Sequence, residues 1–273
     1  MIDTIATRAV DQNEKVLTDL AKKIWENPET AFNEVKACEW TAEVLRNAGF
    51  EVETGYVGMP TAIRAVWGKG HPVIGFLGEY DALPGLSQKV STEKEPVTPG
   101  AAGQGCGHNL LGVACLGAAL GMKAELEAAG KEGTVVFYGC PAEEVLTGKA
   151  FMARGGAFTE LDAAFSWHGS TNNHVTLGTM TGLNSAIFHF NGITAHAGGD
   201  PHNGRSALDA VELTSVGANY LREHVTSDVR IHYVIKEGGT APNIVPDKAS
   251  VWYYVRALSR EAVEDTYRRP VKV

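Results

Sequence analysis

Three separate apolar runs in this chain each lead into side chains that can hold a metal ion. The runs and the side chains after them are residues 72–77 before Glu79 and Asp81, 134–138 before Glu143 and Glu144, and 163–167 before His168. Apolar runs of this length are typical of buried strands. In open α/β sheets the ligand crevice lies outside the carboxyl ends of the strands. We therefore expect these acids and this histidine to meet at one sheet edge, as a metal site.

The stretches between the runs show the periodicity of helices. Apolar residues share one helical face over residues 11–27 and 34–48, and a helix rich in small residues is predicted from 110 to 129. Strands that alternate with helices indicate an α/β fold, a mostly parallel sheet flanked by helices. We assign residues 1–182 to this domain.

From residue 183 the order changes to strand, helix, strand, strand. This order predicts a second α+β domain over residues 183–273, of the ferredoxin-like kind, which would serve as a lid or in dimerisation. A helix is predicted to begin at Ser259, but the sequence ends at Val273 with the sheet of the first domain unfinished. The expectation is a chain truncated at its C-terminal side; a complete short variant is the alternative.

Charge and composition exclude several classes of partner. The 273 residues carry a net charge of −8, which argues against nucleic acid or an anionic membrane, because both require a basic face. No apolar stretch is expected to be long enough to span a bilayer, and residues 1–20 have no apolar signal core. Four cysteines in a chain of this length do not form a small disulfide scaffold. A cytoplasmic location follows as the expectation.

Cys106 and His108 stand two residues apart in a glycine-rich turn at a helix start. A thiolate and an imidazole are both good ligands for zinc or a similar metal. The alternative is a small buried cysteine next to a polar residue at a helix entry. Taken alone, the pair does not decide between the two.

Each of the other candidate site residues in the first domain also has two interpretations. Glu143 and Glu144 form a solvated loop pair, or one holds a metal while its neighbour takes a proton from metal-activated water. His168 is a satisfied core or loop histidine, or a ligand. Asp81 is a turn former, or an acid that orients a ligand.

The second domain contains a smaller set of polar candidates. His196 has glycines nearby that leave its ring accessible, and Asn243 lies between two prolines. Arg256 lies on the last predicted strand, where it either binds a substrate carboxylate or pairs with a nearby acid.

Together these motifs resemble one family, the metal-dependent amidohydrolases that include aminoacylases, carboxypeptidase G and the indole-acetyl-amino-acid hydrolases. The segments 78–85 and 105–112 are most similar to the p-aminobenzoyl-glutamate hydrolase branch, and segments 25–29 and 141–144 also fit. The resemblance covers about residues 11–265.

The resemblance implies a role for each candidate. It implies a zinc-peptidase-like catalytic domain that uses two divalent metal ions, zinc or manganese, with Cys106, His108, Glu144 and His168 as ligands. Glu143 would be the general base and acid, and Asp81 would orient the site. His196 would cross a dimer interface to stabilise the oxyanion, while Asn243 and Arg256 would hold the substrate carboxylate or help at the oxyanion.

Three departures from the family pattern stand out. Asn109 replaces an aspartate common in one branch, and Glu79 replaces a histidine ligand of other branches, so its role is open. The last histidine ligand of the family would lie beyond Val273.

The function implied is hydrolysis of the amide bond of N-acyl amino acids such as p-aminobenzoyl-glutamate, or of dipeptides, by a homodimer or a heterodimer with a related subunit. Two alternatives remain. One is a metal-independent hydrolase with Cys106 as nucleophile and His108 as base; the other is a non-catalytic partner that associates through its lid domain.

Overall fold

The fold is described from a computed structural model, which covers residues 3–175 and 178–269. It divides into two compact units, Met1–Asn173 and His174–Val273. This division falls nine residues before the boundary predicted at 182/183, and the functional assignment of the two domains remains a prediction.

The first unit begins with three helices, α1 (Ile5–Gln12), α2 (Glu14–Glu26) and α3 (Val35–Asn47). Its later helices are α4 (His108–Ala129) and α5 (Gly148–Arg154), and a short 3-10 turn spans Tyr56–Gly58. The apolar face predicted within 11–27 is buried on α2, whereas Val35, the first apolar residue of the face predicted within 34–48, is exposed at the start of α3. Because α3 begins only at Val35, that residue lies at the helix end and outside the packed face.

The sheet of the described first unit has five strands, in the order β1-β2-β4-β3-β5. They are β1 (Glu51–Thr54), β2 (Ile63–Lys69), β3 (Val73–Glu79), β4 (Gly133–Cys140) and β5 (Ala163–Phe165). The three apolar runs form β3, β4 and β5, and β3 pairs in parallel with both β4 and β5. Strand β2 pairs antiparallel with both β1 and β4. The link between β1 and β2 is too short for a parallel crossover. The α/β class is confirmed, with a mixed sheet.

Helix α4 lies at the centre of this unit, in contact with α1, α2, β3 and β4. It is long and apolar enough to cross a membrane by length and composition alone, so the expectation that no stretch reaches that length was wrong. More than half of its most apolar window, 56%, is buried inside the protein, as in a core helix of a globular domain. The apolar composition of α4 is explained by its packing against helices α1 and α2 and against strands β3 and β4.

The second unit has an antiparallel sheet of three described strands, in the order β6-β8-β7. The strands are β6 (Gly182–Asn191), β7 (Arg230–Glu237) and β8 (Lys248–Ala257). Helices α6 (Ala207–Leu221) and α7 (Arg260–Arg268) pack against β8, and short 3-10 turns span Pro201–Asn203 and Arg222–His224. Ser259 caps α7 by accepting a hydrogen bond from the Ala262 amide, which confirms the predicted helix start.

Candidate metal centre

The carboxyl ends of β3, β4 and β5 bring the predicted side chains to one edge of the sheet. Glu79 at the end of β3 is in register with Cys140 at the end of β4, and Phe76 with Phe165 at the end of β5. The segments after these ends carry Asp81, the two glutamates and His168. The strand pairing thus accounts for a cluster of residues that lie far apart in sequence.

Cys106 and His108 reach this edge through a tight turn before α4. Gly107 between them has a φ of +80°, a left-handed conformation that glycine adopts without steric cost. The Cys106 Sγ lies 3.2 Å from His168 Nε2, and the rings of His108 and His168 meet edge to face with centroids 6.0 Å apart. Cys106, His108 and His168 each offer one ligand atom, and these atoms all lie within 4.8 Å of one another.

Asp81 fixes the orientation of the His108 ring. His108 Nδ1 lies 3.1 Å from both the Asp81 carboxylate and the Asp81 backbone carbonyl, and both residues are buried. Since these partners only accept hydrogen bonds, we assign the ring proton to Nδ1, which leaves the lone pair on Nε2. The other Asp81 oxygen accepts a 2.9 Å hydrogen bond from the Glu144 amide. One carboxylate therefore positions a predicted ligand on each side.

Glu143 and Glu144 differ in exposure and in the ring nitrogen of His108 that each lies near. The Glu144 side chain is 13% exposed, and its Oε1 lies 3.8 Å from His108 Nδ1. The Glu143 side chain is 31% exposed, and its Oε2 lies 3.7 Å from His108 Nε2. The inner carboxylate is suited to ligation, and the outer one can exchange protons with solvent.

Negative charge is concentrated around these groups. Burial raises the pKa of the Cys106 thiol to about 11, and the charges of Glu144 and Glu143 act in the same direction. Burial likewise raises the pKa of Glu144. Burial would lower the pKa of His108, but the hydrogen bond to Asp81 and the charges of Glu79, Asp81 and Glu144 raise it overall. Such a site favours any added positive charge, and a bound cation would reverse these directions.

The donor atoms fit a divalent metal. Within the described residues, four buried side-chain atoms lack a hydrogen-bond partner, and three of them, Glu79 Oε2, His108 Nε2 and Glu144 Oε1, belong to the candidate site. Buried polar atoms are normally paired, so three orphans at one point need an explanation. A thiolate, imidazoles and carboxylates are the donors that zinc and similar ions take. The residues present therefore fit the metal that the sequence predicts.

In the second unit, the His196 ring is exposed, and its Nδ1 accepts hydrogen bonds from the amides of Gly198 and Gly199 at 3.1 and 3.0 Å. The proton must then be on Nε2, which suits a hydrogen-bond donor to an oxyanion. The Asn243 carbonyl accepts from the Ala197 amide at 3.0 Å, so the Asn243 backbone lies next to His196.

Arg256 lies at the other end of this sheet. It pairs with Leu183 and Arg230 near the end of β8, whereas the His196 segment follows the end of β6 that pairs with the start of β8. Its guanidinium lies 5.7 Å from the centre of the Tyr254 ring. The second unit thus brings His196 and Asn243 together but not Arg256, and the roles of all three remain predictions.

Sequence reasoning missed two residues beside the site. Glu34 is fully buried and accepts hydrogen bonds from the Phe32 amide, the Ala142 amide and the Thr61 hydroxyl. Lys149, at the start of α5, contacts Glu79. Neither residue follows a buried strand, so no local pattern distinguishes it from a surface charge. The local bonding of Asn109 is also clear: its side-chain amide donates to the Ala21 carbonyl at 3.1 Å.

Two curated relatives match this chain over more than half of their length. One of the p-aminobenzoyl-glutamate hydrolase subunits of Escherichia coli (strain K12) is 46% identical over 271 residues, which cover 97% of this chain and 56% of that protein. Xaa-Arg dipeptidase of Mus musculus is 34% identical, over 95% of this chain and 59% of that protein. The chain therefore spans less than two thirds of these relatives.

Solved structures match the fold. The aminobenzoyl-glutamate utilization protein of Klebsiella pneumoniae superposes with a TM-score of 0.69 at 18% identity, over 97% of this chain and 72% of that one. A dinuclear metal-binding peptidase of the M20 family from Bacillus subtilis gives 0.62 at 21% identity, over 97% and 69%. A family model for the peptidase dimerisation domain matches residues 179–269. The chain thus contains the dimerisation domain of the M20 peptidases, and its fold is that of a solved M20 peptidase.

Proposed function

We propose that this chain carries the metal centre of an amidohydrolase that cleaves the amide bond of N-acyl amino acids such as p-aminobenzoyl-glutamate, or of dipeptides. The observation that carries the proposal is that Cys106, His108 and His168 each place a ligand atom within 4.8 Å of the others, with Glu144 and Glu143 beside His108. The named activities of the relatives, a p-aminobenzoyl-glutamate hydrolase and a dipeptidase, support the substrate class.

Cys106, His108, His168 and Glu144 would hold two divalent ions, zinc or manganese, which when bound polarise the amide carbonyl and lower the pKa of water. Asp81 keeps His108 in the tautomer that presents Nε2, and it holds the Glu144 backbone. Glu143 accepts the proton of the attacking water and passes it to the leaving amine. His196 would reach the oxyanion across a dimer interface and donate to it from Nε2, and Asn243 and Arg256 would hold the substrate carboxylate or help at the oxyanion.

The peptidase dimerisation domain indicates association between chains. We propose a homodimer or a heterodimer with a related subunit, since the relatives include two different subunits of one Escherichia coli hydrolase. The four cysteines are free thiols, which supports a location in the reducing cytoplasm.

The same pair of relatives makes a non-catalytic partner the second candidate. That role predicts no hydrolysis by the chain alone and hydrolysis only with a related subunit. A cysteine nucleophile is disfavoured, because a thiol whose pKa is raised to about 11 is rarely ionised at neutral pH. Chelation separates these possibilities, since activity that survives metal removal would come from the thiol.

Substitution of Glu143 by Ala tests the catalytic assignment. We expect kcat to fall by at least about a hundredfold, the usual contribution of a general acid–base group, while metal content per chain stays unchanged. The assay is hydrolysis of p-aminobenzoyl-glutamate and a dipeptide series, beside metal analysis.

Glu43→Ala, an exposed glutamate on α3, is the matched control and should retain wild-type activity. Loss of metal in Glu143→Ala would make Glu143 a ligand instead of the base.

A further inference from the structure

Glu79 at the end of β3 has two carboxylate oxygens in different environments. The residue is 5% exposed. Its Oε1 contacts the ammonium group of Lys149. Its Oε2 is buried and has no hydrogen-bond partner among the described residues. A buried carboxylate oxygen without a partner is costly, because desolvation is not compensated.

The unpaired oxygen faces the unpaired nitrogen of His108. Glu79 Oε2 lies 3.1 Å from His108 Nε2, and Glu143 Oε2 lies 3.7 Å from the same nitrogen. Because Asp81 binds Nδ1, Nε2 is the ring nitrogen that faces these two oxygens. Glu79, His108 and Glu143 offer ligand atoms that all lie within 4.8 Å of one another. Lone pairs converge in this way where a cation binds.

Lys149 does not itself supply that cation, because its ammonium contacts the opposite oxygen of Glu79. The Lys149 side chain is 32% exposed, and it lies in the first turn of α5, just after the Glu143–Glu144 segment. A lysine at this position offsets one negative charge of the acidic cluster and holds the carboxylate so that only Oε2 faces the site. It acts through Glu79, as residues behind a metal ligand commonly do.

We propose that Glu79 is a further metal ligand of this centre, and that Lys149 is the positioning residue that orients its free oxygen. The inference rests on the divalent metal of the proposed function but does not require hydrolysis. It gives a role to the glutamate that replaces a histidine of other branches.

Metal binding by stripped protein tests the pair directly. The 273-residue chain and its variants are freed of metal by chelation, titrated with Zn²⁺ by calorimetry, and analysed for bound zinc per chain. We expect Glu79→Gln to weaken zinc binding at least about tenfold or to lower the stoichiometry. Lys149→Met should weaken it about 10- to 100-fold, the usual cost of losing a group behind a ligand.

Two further variants complete the test. Lys149→Arg keeps the charge and should restore most of the affinity, and the double variant Glu79→Gln with Lys149→Met should bind no more weakly than Glu79→Gln alone. Lys123→Met is the matched control, a lysine of similar exposure on α4 that donates to the Ala48 carbonyl, and it should bind zinc as the wild type does.

Thermal unfolding of the metal-free proteins separates ligation from a structural ion pair. If Glu79→Gln lowers the unfolding temperature but binds zinc with wild-type affinity and stoichiometry, Glu79 is not a ligand and the inference is overturned. Should Glu79→Gln fail to fold, Glu79→Ala replaces it, and wild-type affinity in that folded variant would also overturn the inference. Absence of zinc binding in the wild type would refute the proposed function as well, whereas binding without hydrolysis leaves the inference standing.

Discussion

A single backbone conformation places the two adjacent glutamates of the site. Ala142, just before Glu143, has a φ of +56°, a left-handed conformation that costs a non-glycine residue roughly 1–2 kcal/mol. The buried Glu34 carboxylate accepts a 2.8 Å hydrogen bond from the Ala142 amide and so offsets that cost. Through the Ala142 backbone, Glu34 thereby helps to set the direction of the Glu143 side chain.

Replacement of Glu34 by Ala should reduce turnover through this contact. The change leaves the amides of Ala142 and Phe32 without their acceptor, at a cost of about 1–3 kcal/mol each. We expect kcat to fall at least about tenfold, with KM and zinc content little changed, in steady-state kinetics at a temperature where the variant is folded.

Thr61→Val is the matched control for this prediction. It removes the hydroxyl that donates to the other Glu34 oxygen at 3.0 Å and leaves the Ala142 contact in place. This variant should lose stability but keep kcat. Wild-type kcat in Glu34→Ala would show that Ala142 holds its conformation unaided.

At the scale of elements, the close approach of α4 to β3 sets the depth of the site. A Cβ atom built on Gly112 would lie 2.2 Å from the Glu79 backbone carbonyl, closer than any real contact. A Cβ on Gly117, further along the same helix, would meet the flexible end of Leu17 at 3.3 Å. The two glycines of one helix thus face different constraints, and only Gly112 bears on the site.

Gly112→Ala should both destabilise the fold and weaken zinc binding, because it displaces the end of β3 that carries Glu79. We expect a loss of about 1–3 kcal/mol in the free energy of unfolding, as in other overpacked cores. Gly117→Ala should be near neutral, since the gain in helix propensity, about 1 kcal/mol, offsets the tighter contact. Equal effects of the two substitutions in urea unfolding would contradict this account.

An ion pair on the same sheet gives a pH dependence. Arg64 on β2 donates two hydrogen bonds to Glu160, at 2.8 and 2.7 Å, and the Tyr138 hydroxyl donates a third at 2.6 Å. These hydrogen bonds lower the pKa of Glu160, and those from Arg64 have the largest effect. A lowered carboxylate pKa adds stability above the unfolded-state value of about 4.3, and this contribution is lost as the pH falls through the folded-state value.

The stability difference between wild type and Glu160→Gln should therefore shrink with falling pH. Urea unfolding of both metal-free proteins measures this difference at neutral pH and in acid, below the unfolded-state pKa of a glutamate. The other titrating groups are common to both chains, so their contributions cancel in the difference. A difference that stays constant or grows in acid would show that Glu160 stabilises the fold without its charge.

At the scale of the whole molecule, the structure contains an acidic cluster that the fold alone does not neutralise. A metal that binds the native chain and not the unfolded one stabilises it by mass action, by about 2.7 kcal/mol when the free metal is about a hundred times the dissociation constant. Chelation should accordingly lower the thermal unfolding temperature, and added Zn²⁺ or Mn²⁺ should restore it. An unfolding temperature that is the same with chelator and with metal would argue against a metal centre in this chain.

Local patterns in the sequence determined the α/β class, the helix faces and the strand ends, because burial imposes a period on apolar residues. They also placed Cys106, His108 and His168 next to strand or helix ends, where ligands gather. The exposure of Val35 and the burial of the apolar helix α4 depended instead on where each helix packs. Only the tertiary structure decided that Glu34 supports Ala142, that Lys149 holds Glu79, and that Arg256 lies away from His196. Contacts between distant segments depend on strand register and loop paths, which no local periodicity encodes.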